Sequence, residues 1–424
     1  MYMIHEIKRM VLILIAGGCM GAALLFLAYT IPTDPMIRNA RASVDIFKIE
    51  GAHAQMIHGY KATTLDNYTD AWMLRNAFYN GEETALQKCL NVYFYGYTNG
   101  EPRSVCESMI AWLEGEEGYE RISYQRYWHG YLVILKPLLF FFDYGDIREI
   151  LKFTCLAVLI YLCVLLEKVH MPRVIPAFAA AMACMEFHTV GMSMQYTWVF
   201  MIAMFFSVII LKKYQNRALM KETYSLFMII GMMTSYFDFL TYPLFTLGLP
   251  LLFWVICMRE SENAISLPAM AFKNSVCWGV GYIGMWIEKW VLCTIFTKEN
   301  IIADGLHSIL ERSGQDVMGE QIGYIETVWD NITVLVKYPY VLVFIIAGIT
   351  VFFLCRKYRE SKVGFSKGAF ITYIYIAVLP FCWYMISVNH SYIHSFMTYK
   401  SLSITVFAVL CAFIEVNNLI RAST

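Results

Sequence analysis

The chain has 424 residues, 58% of them hydrophobic and only 16% charged, with a mean hydropathy of +0.52. A soluble domain of that make-up would expose large apolar surfaces, so an ordinary soluble fold is excluded. Lys plus Arg and Asp plus Glu each number 33, and the basic residues stand singly or in short groups, which leaves no electrostatic footprint for nucleic acid.

The expected fold is all-α: one polytopic membrane bundle over residues 1–424. A hydrocarbon core about 30 Å thick asks for roughly 17 to 25 apolar residues per spanning helix. About ten stretches qualify, at 11–29, 150–166, 174–187, 197–211, 225–239, 242–258, 274–296, 338–355, 368–388 and 401–416. The first follows Lys8 and Arg9 and runs into Pro32, Thr33, Asp34 and Pro35 rather than a small-residue cleavage site, so it is expected to stay as an uncleaved helix.

Orientation follows from Lys and Arg. With the N-terminus inside, the inner segments hold 16 of them: Lys8, Arg9, Lys168, Arg173, Lys212, Lys213, Arg217, Lys221, Arg259, Lys273, Arg356, Lys357, Arg359, Lys362, Lys367 and Arg421. The outer loops after the first hold 4: Lys298, Arg312, Lys337 and Lys400. Positive charge is retained on the cytoplasmic side, so both termini are expected inside a cell membrane.

The first outer loop, 31–148, breaks the pattern by its length. It carries "LDNYTDAWML", where Asp66 or Thr69 is a good N-cap and Asp70 favours the first turn of a helix. Apolar or small residues at Ala71, Leu74, Ala77 and Phe78 continue at helical spacing until Gly81. Further on, the greasy run 131–142 is short and is broken by Lys136 and Pro137, which suits an interfacial or re-entrant helix better than a span. Ten of the twelve cysteines fall in or at the ends of spans without metal-ligand spacing; only Cys89 and Cys106 share an outer loop where a disulfide could form.

Polar residues gather at the outer face of the expected bundle. Glu186 and His188 lie in "CMEFHTVGMSMQY", Asp238 in "SYFDFLTYP", Glu288 and Lys289 in "WGVGYIGMWIEKW", and His390, His394 and Lys400 in "VNHSYIHSFMTYK". Ionisable groups at a bilayer are costly and usually face a cavity or a partner, so each is a candidate site residue. Each also has a structural reading: Asp238 as a helix cap, Glu288 and Lys289 as a packing pair or outward snorkellers, and Glu186 with His188 as a helix end in interfacial water. His390 and His394, four apart, could share a metal on one helical turn, but no third ligand is evident and no metal site is assigned.

Lys400, His390 and His394 would offer N–H donors to a lipid phosphate. Tyr392, Phe396 and Tyr399 beside them suit a sugar face or an interfacial belt. Transfer of a sugar from such a lipid needs a base to take the acceptor hydroxyl's proton, and a positioned carboxylate can do so. Asp66 and Asp70 are the candidates. A second acid could orient the acceptor or hold a divalent cation, Mg or Mn.

One spanning helix, a long acidic outer loop with interfacial helices and then a many-spanning bundle resembles the GT-C class of polytopic glycosyltransferases. "LDNYTDAWML", "YWHGYLVILKPLLFFFDYGDIR", "TSYFDFLTYP", "WGVGYIGMWIEKW" and "NHSYIHSFMTYK" also resemble membrane proteins of Gram-positive bacteria associated with surface polysaccharides. The resemblance implies a polyprenyl-phosphate- or pyrophosphate-linked sugar donor, a glycan or lipid-linked acceptor, and work at the outer face. It carries a catalytic acid onto Asp66 or Asp70, and a phosphate or substrate site onto Lys400, His390 and His394. Lys289, Asp238, His129 and Glu186 join them as candidate substrate-binding residues. It departs in one respect: many such enzymes carry their acid soon after the first helix, where Asp34 and Asp45 stand here. The expected activity is an inverting glycosyltransferase; the alternative is a transporter or flippase of a lipid-linked saccharide, for which Lys289 is the best support.

Overall fold

In the computed structural model, which describes residues 2–218, 223–259, 266–337, 340–357 and 364–422, the expected long loop is a folded layer. After α1 (Tyr2–Ala28) come α2 (Asp34–Ala42), α3 (Val44–Glu50), α4 (Asn67–Phe78), α5 (Ala85–Asn91), β1 (Phe94–Tyr97), α6 (Val105–Leu113), β2 (Tyr119–Ile122) and α7 (Leu132–Phe141). Local chemistry starts several of these helices. Thr84 and Gln87 form a reciprocal capping box on α5, Ser104 and Glu107 another on α6, and Asp66 accepts the Thr69 amide to cap α4. The strands form one antiparallel pair, with Phe94 opposite Ile122 and Tyr97 opposite Tyr119.

The bundle follows: α8 (Tyr144–Lys168), α9 (Ile175–Cys184), α10 (Phe187–Val190), α11 (Met194–Gln215), α12 (Tyr224–Phe237), α13 (Leu244–Met258) and α14 (Leu267–Thr297). Next come α15 (Ile301–Ser313), a hairpin of β3 (Asp316–Val317) and β4 (Glu320–Gln321), and α16 (Tyr324–Thr333). The chain ends with α17 (Tyr340–Lys357), α18 (Lys367–Ile386), α19 (Val388–Ile393), α20 (Ser395–Thr398) and α21 (Leu402–Ala422). Five helices among the described residues are long and apolar enough to cross a membrane: Glu6–Ala28, Tyr144–Lys168, Met194–Gln215, Lys367–Ile386 and Ser395–Asn417. On α14, Phe272, Val276, Val280, Ile283, Ile287 and Val291 turn outward at spacings of three and four, an apolar stripe that suits lipid and not water. The molecule is a membrane protein, and α13, buried along its whole length, is its central helix.

Some expected boundaries shift for physical reasons. The stretch 174–187 is cut short because Glu186 takes a left-handed conformation at φ 51, which ends α9 and begins α10. The greasy run is a ten-residue helix, α7, kept in place by Lys136, whose buried ammonium donates to Ala77 O at 2.6 Å at the end of α4. Cys89 and Cys106 are free thiols with separate neighbours, Ala22 O at 3.6 Å and Asn67 O at 3.5 Å, so the disulfide is not formed. Tyr338, which opens the eighth expected span, and Lys221, Arg359 and Lys362 of the charge count lie outside the described residues.

Two glycines let α12 and α14 touch. A Cβ on Gly231 would stand 2.0 Å from Trp278 O, and one on Gly281 2.1 Å from Met228 O; both obstacles are backbone. Gly281→Ala is therefore expected to cost about 1–3 kcal/mol, the usual range for overpacking, as a lower midpoint of thermal unfolding in detergent. Gly279→Ala, whose Cβ meets nothing within 4 Å, serves as control and should not lower it.

Candidate functional site

Four parts of the chain converge on one cavity of about 470 Å³. The start of α4 brings Asp66 and Trp72, the segment before α7 brings Tyr124 and Tyr127, the end of α15 brings Arg312, and α19 with its following turn brings His390 and His394. Gln195 at the start of α11 and Phe239 after α12 also line the wall.

Asp66 serves two purposes. Its Oδ1 accepts the Thr69 amide at 3.1 Å as the N-cap of α4, and its own amide donates to Ser193 Oγ at 3.0 Å, so the carboxylate is fixed where it lines the cavity. Burial raises its pKa, partly offset by the bonds from Thr69 and the nearby His53. A carboxylate more basic than usual is a better proton acceptor.

The His390 and His394 rings meet at a tilt of 48°, with centroids 4.7 Å apart. Burial, with Arg312 and His53 nearby, pushes His394 down to about 4; burial and the same guanidinium, with His394, hold His390 well below the usual range. Both imidazoles are neutral at neutral pH. Arg312 is the cation of this cavity: its guanidinium lies over the Tyr127 ring at 5.4 Å, and it belongs to none of the ion pairs among the described residues.

The other expected site residues stand elsewhere. Asp70 is fully buried behind Asp66, where Oδ2 accepts from Tyr144 OH at 2.6 Å and from Met194 N at 2.9 Å, and Oδ1 accepts from Gln195 N at 3.1 Å. It ties α4 to the first turn of α11 and to α8. Lys400 is buried outside the cavity, and its three N–H groups are taken by Met185 O at 2.9 Å, Thr189 Oγ1 at 2.8 Å and Tyr399 OH at 3.2 Å, which leaves none for a phosphate. Lys289 donates to Cys89 O at 3.2 Å and Leu90 O at 2.9 Å. His129 sits between Tyr131 OH at 3.0 Å and Tyr124 O at 2.8 Å, and burial first, with Lys289 nearby, pushes it down to about 3. Glu186 faces His188 at 3.4 Å. Asp238 holds the turn before α13, with the Thr241 amide 3.0 Å from its Oδ1.

Of the expected set, then, Asp66, His390 and His394 meet; Lys400 does not reach the cavity, and the cation that lines it is Arg312. Arg312 was visible in the sequence only as one of four outer basic residues, and Gln195 carried no signal beyond its place at a helix start. Among the described residues no three side chains of His, Cys, Asp or Glu converge as a metal set, so the divalent cation lacks a ligand set here. No protein-family model, curated protein or solved structure matches the chain.

Proposed function

We propose that the chain is an inverting glycosyltransferase of GT-C type that moves a sugar from a polyprenyl-phosphate-type lipid to a cell-surface glycan. One observation carries this reading: a single cavity joins the buried carboxylate of Asp66, a guanidinium that forms no ion pair among the described residues, two neutral imidazoles and the aromatic rings of Trp72, Tyr124, Tyr127 and Phe239. Aromatic faces suit the C–H face of a sugar, and a planar guanidinium suits a phosphate. Ten spans with both termini cytoplasmic accord with it. In that topology every lining residue falls in an outer segment except Phe239, which ends the fifth span.

In the reaction, the acceptor hydroxyl gives its proton to Asp66 as its oxygen forms a bond to the anomeric carbon. The bond from that carbon to the phosphate oxygen breaks on the opposite face, the electron pair leaves with the phosphate, and Arg312 takes up the charge. A single displacement of this kind inverts the anomeric centre and needs one base. The alternative, a transporter or flippase, leaned on Lys289; its ammonium is engaged by two carbonyls, which favours the transferase.

Binding of polyprenyl phosphate to the full chain in lipid nanodiscs tests the donor side. Arg312→Ala should weaken it about 10- to 100-fold, the equivalent of about 1.5–3 kcal/mol for hydrogen bonds to a charged group. Arg312→Lys should recover part of the affinity, because an ammonium keeps the charge and loses the fork. Equal affinity in all three proteins would count against the reading.

A further inference from the structure

The turn between α12 and α13 governs the hydrogen-bond character of the cavity wall without lining most of it. Asp238 accepts the Thr241 amide at 3.0 Å through Oδ1 and at 3.2 Å through Oδ2, and Oδ1 also accepts from the Thr241 hydroxyl. These donors suit an ionised carboxylate, which can only accept. The single hydroxyl hydrogen of Thr241 is therefore committed to Asp238. What remains at Thr241 Oγ1 is an acceptor, and Gln195 Nε2 donates to it.

That chain decides which way the Gln195 amide faces. With Nε2 on Thr241, Oε1 is the free end; it has no hydrogen-bond partner among the described residues, in a side chain 1% exposed that lines the cavity. A buried carbonyl oxygen without a donor is costly, and a ligand that brings one recovers the loss. The same turn sets His390. Leu240 holds the left-handed conformation at φ 68, uncommon for a residue with a branched side chain, and its carbonyl lies 2.8 Å from His390 Nε2. A carbonyl only accepts, so Nε2 carries the hydrogen and Nδ1 keeps the lone pair. One turn thus makes acceptors of two cavity side chains, beside the carboxylate of Asp66.

We propose that Gln195, oriented by Asp238 through Thr241, is the specificity-determining residue of the cavity and accepts a hydrogen bond from one hydroxyl of the bound sugar. The inference rests on the glycosyltransferase reading and narrows it: the sugar must carry a free hydroxyl at that position, and a deoxy, deoxyfluoro or O-methyl derivative is rejected. Asp238 and Thr241 are positioning residues, acting on the ligand only through Gln195.

The test uses the full chain in nanodiscs, with methyl hexosides and their monodeoxy and deoxyfluoro derivatives as probes and affinity read by saturation-transfer NMR. In the wild type one ring position should lose at least tenfold in affinity when its hydroxyl becomes hydrogen or fluorine, since a site built to bond a hydroxyl discriminates strongly against its absence. Gln195→Leu should bind the parent and the derivative alike. Thr241→Val should also erase the difference, and Thr241→Ser, which restores the hydroxyl, should bring it back; that pair decides the matter should Gln195→Leu fail to fold. A penalty that persists in Gln195→Leu or Thr241→Val overturns the inference and leaves sugar binding intact. Failure of every hexoside to bind the wild type overturns the inference together with the transferase.

Discussion

Asp66→Asn is expected to lower transfer by about 10²- to 10⁴-fold, the usual contribution of a positioned general base, while the chain remains folded. The substitution separates the two duties of this residue. Asparagine is as good an N-cap as aspartate, so its carbonyl still accepts the Thr69 amide that Oδ1 accepts now at 3.1 Å. What it cannot do is take a proton. Surface glycan analysed by mass spectrometry should show an undecorated polymer, with the variant present in the membrane at wild-type level and unfolding within about 0.5 kcal/mol of wild type. A normal glycan would remove Asp66 as the base. Asp66→Ala should lose activity as well and, in addition, about 1 kcal/mol of stability from the missing cap. The wild-type rate should rise with pH through the raised pKa of Asp66, above the ordinary carboxylate range, and then level off.

Asp70→Ala is expected to act on the fold, and with the larger stability effect. Its carboxylate accepts from Tyr144 OH, Met194 N and Gln195 N, all buried, so removal leaves three donors unsatisfied at the point where α4, α8 and α11 meet. At about 1–3 kcal/mol for each buried group left without a partner, a loss of about 3 kcal/mol or more is expected, seen as low yield and early thermal unfolding. Asp70→Asn gives the pH signature. Burial, the largest influence, raises Asp70 to about 7 against the opposing bonds from Tyr144 and Met194. Between the unfolded carboxyl near pH 4 and this value the native state holds more protons than the unfolded one. Stability therefore falls as pH rises through that window, by up to about 1.4 kcal/mol per pH unit. The asparagine variant lacks this slope, so the wild type should exceed it most at the acid end. Unfolding midpoints of the two proteins from pH 4 to 7.5 check this; a constant difference would mean that Asp70 titrates normally.

The contrast between the two aspartates shows where local pattern stops. "LDNYTDAWML" announced a helix start, and Asp66 does cap α4. Nothing in those ten residues says that Met194 and Gln195 present their amides to Asp70, because those partners stand 124 and 125 positions away. Lys400 teaches the same point. It lies in the outer "HSFMTYK" stretch beside aromatic residues, which suits a phosphate ligand; the phase of the following helix instead turns it inward onto Met185 O and Thr189 Oγ1. Arg312, half-buried, takes the cavity-lining position because it stands at the end of α15, which packs against α14 and α19 and so overhangs the cavity.

By itself the sequence determined the solvent and the secondary structure: apolar runs and their period fix a helical membrane protein, and Ser, Thr and Asp at helix starts fix many of the ends, since both signals are local. The tertiary structure alone decided which polar residues meet. A buried charge must find donors or acceptors wherever packing brings them, and packing joined Asp66, Gln195, Arg312 and His390 from four distant parts of the chain around one cavity.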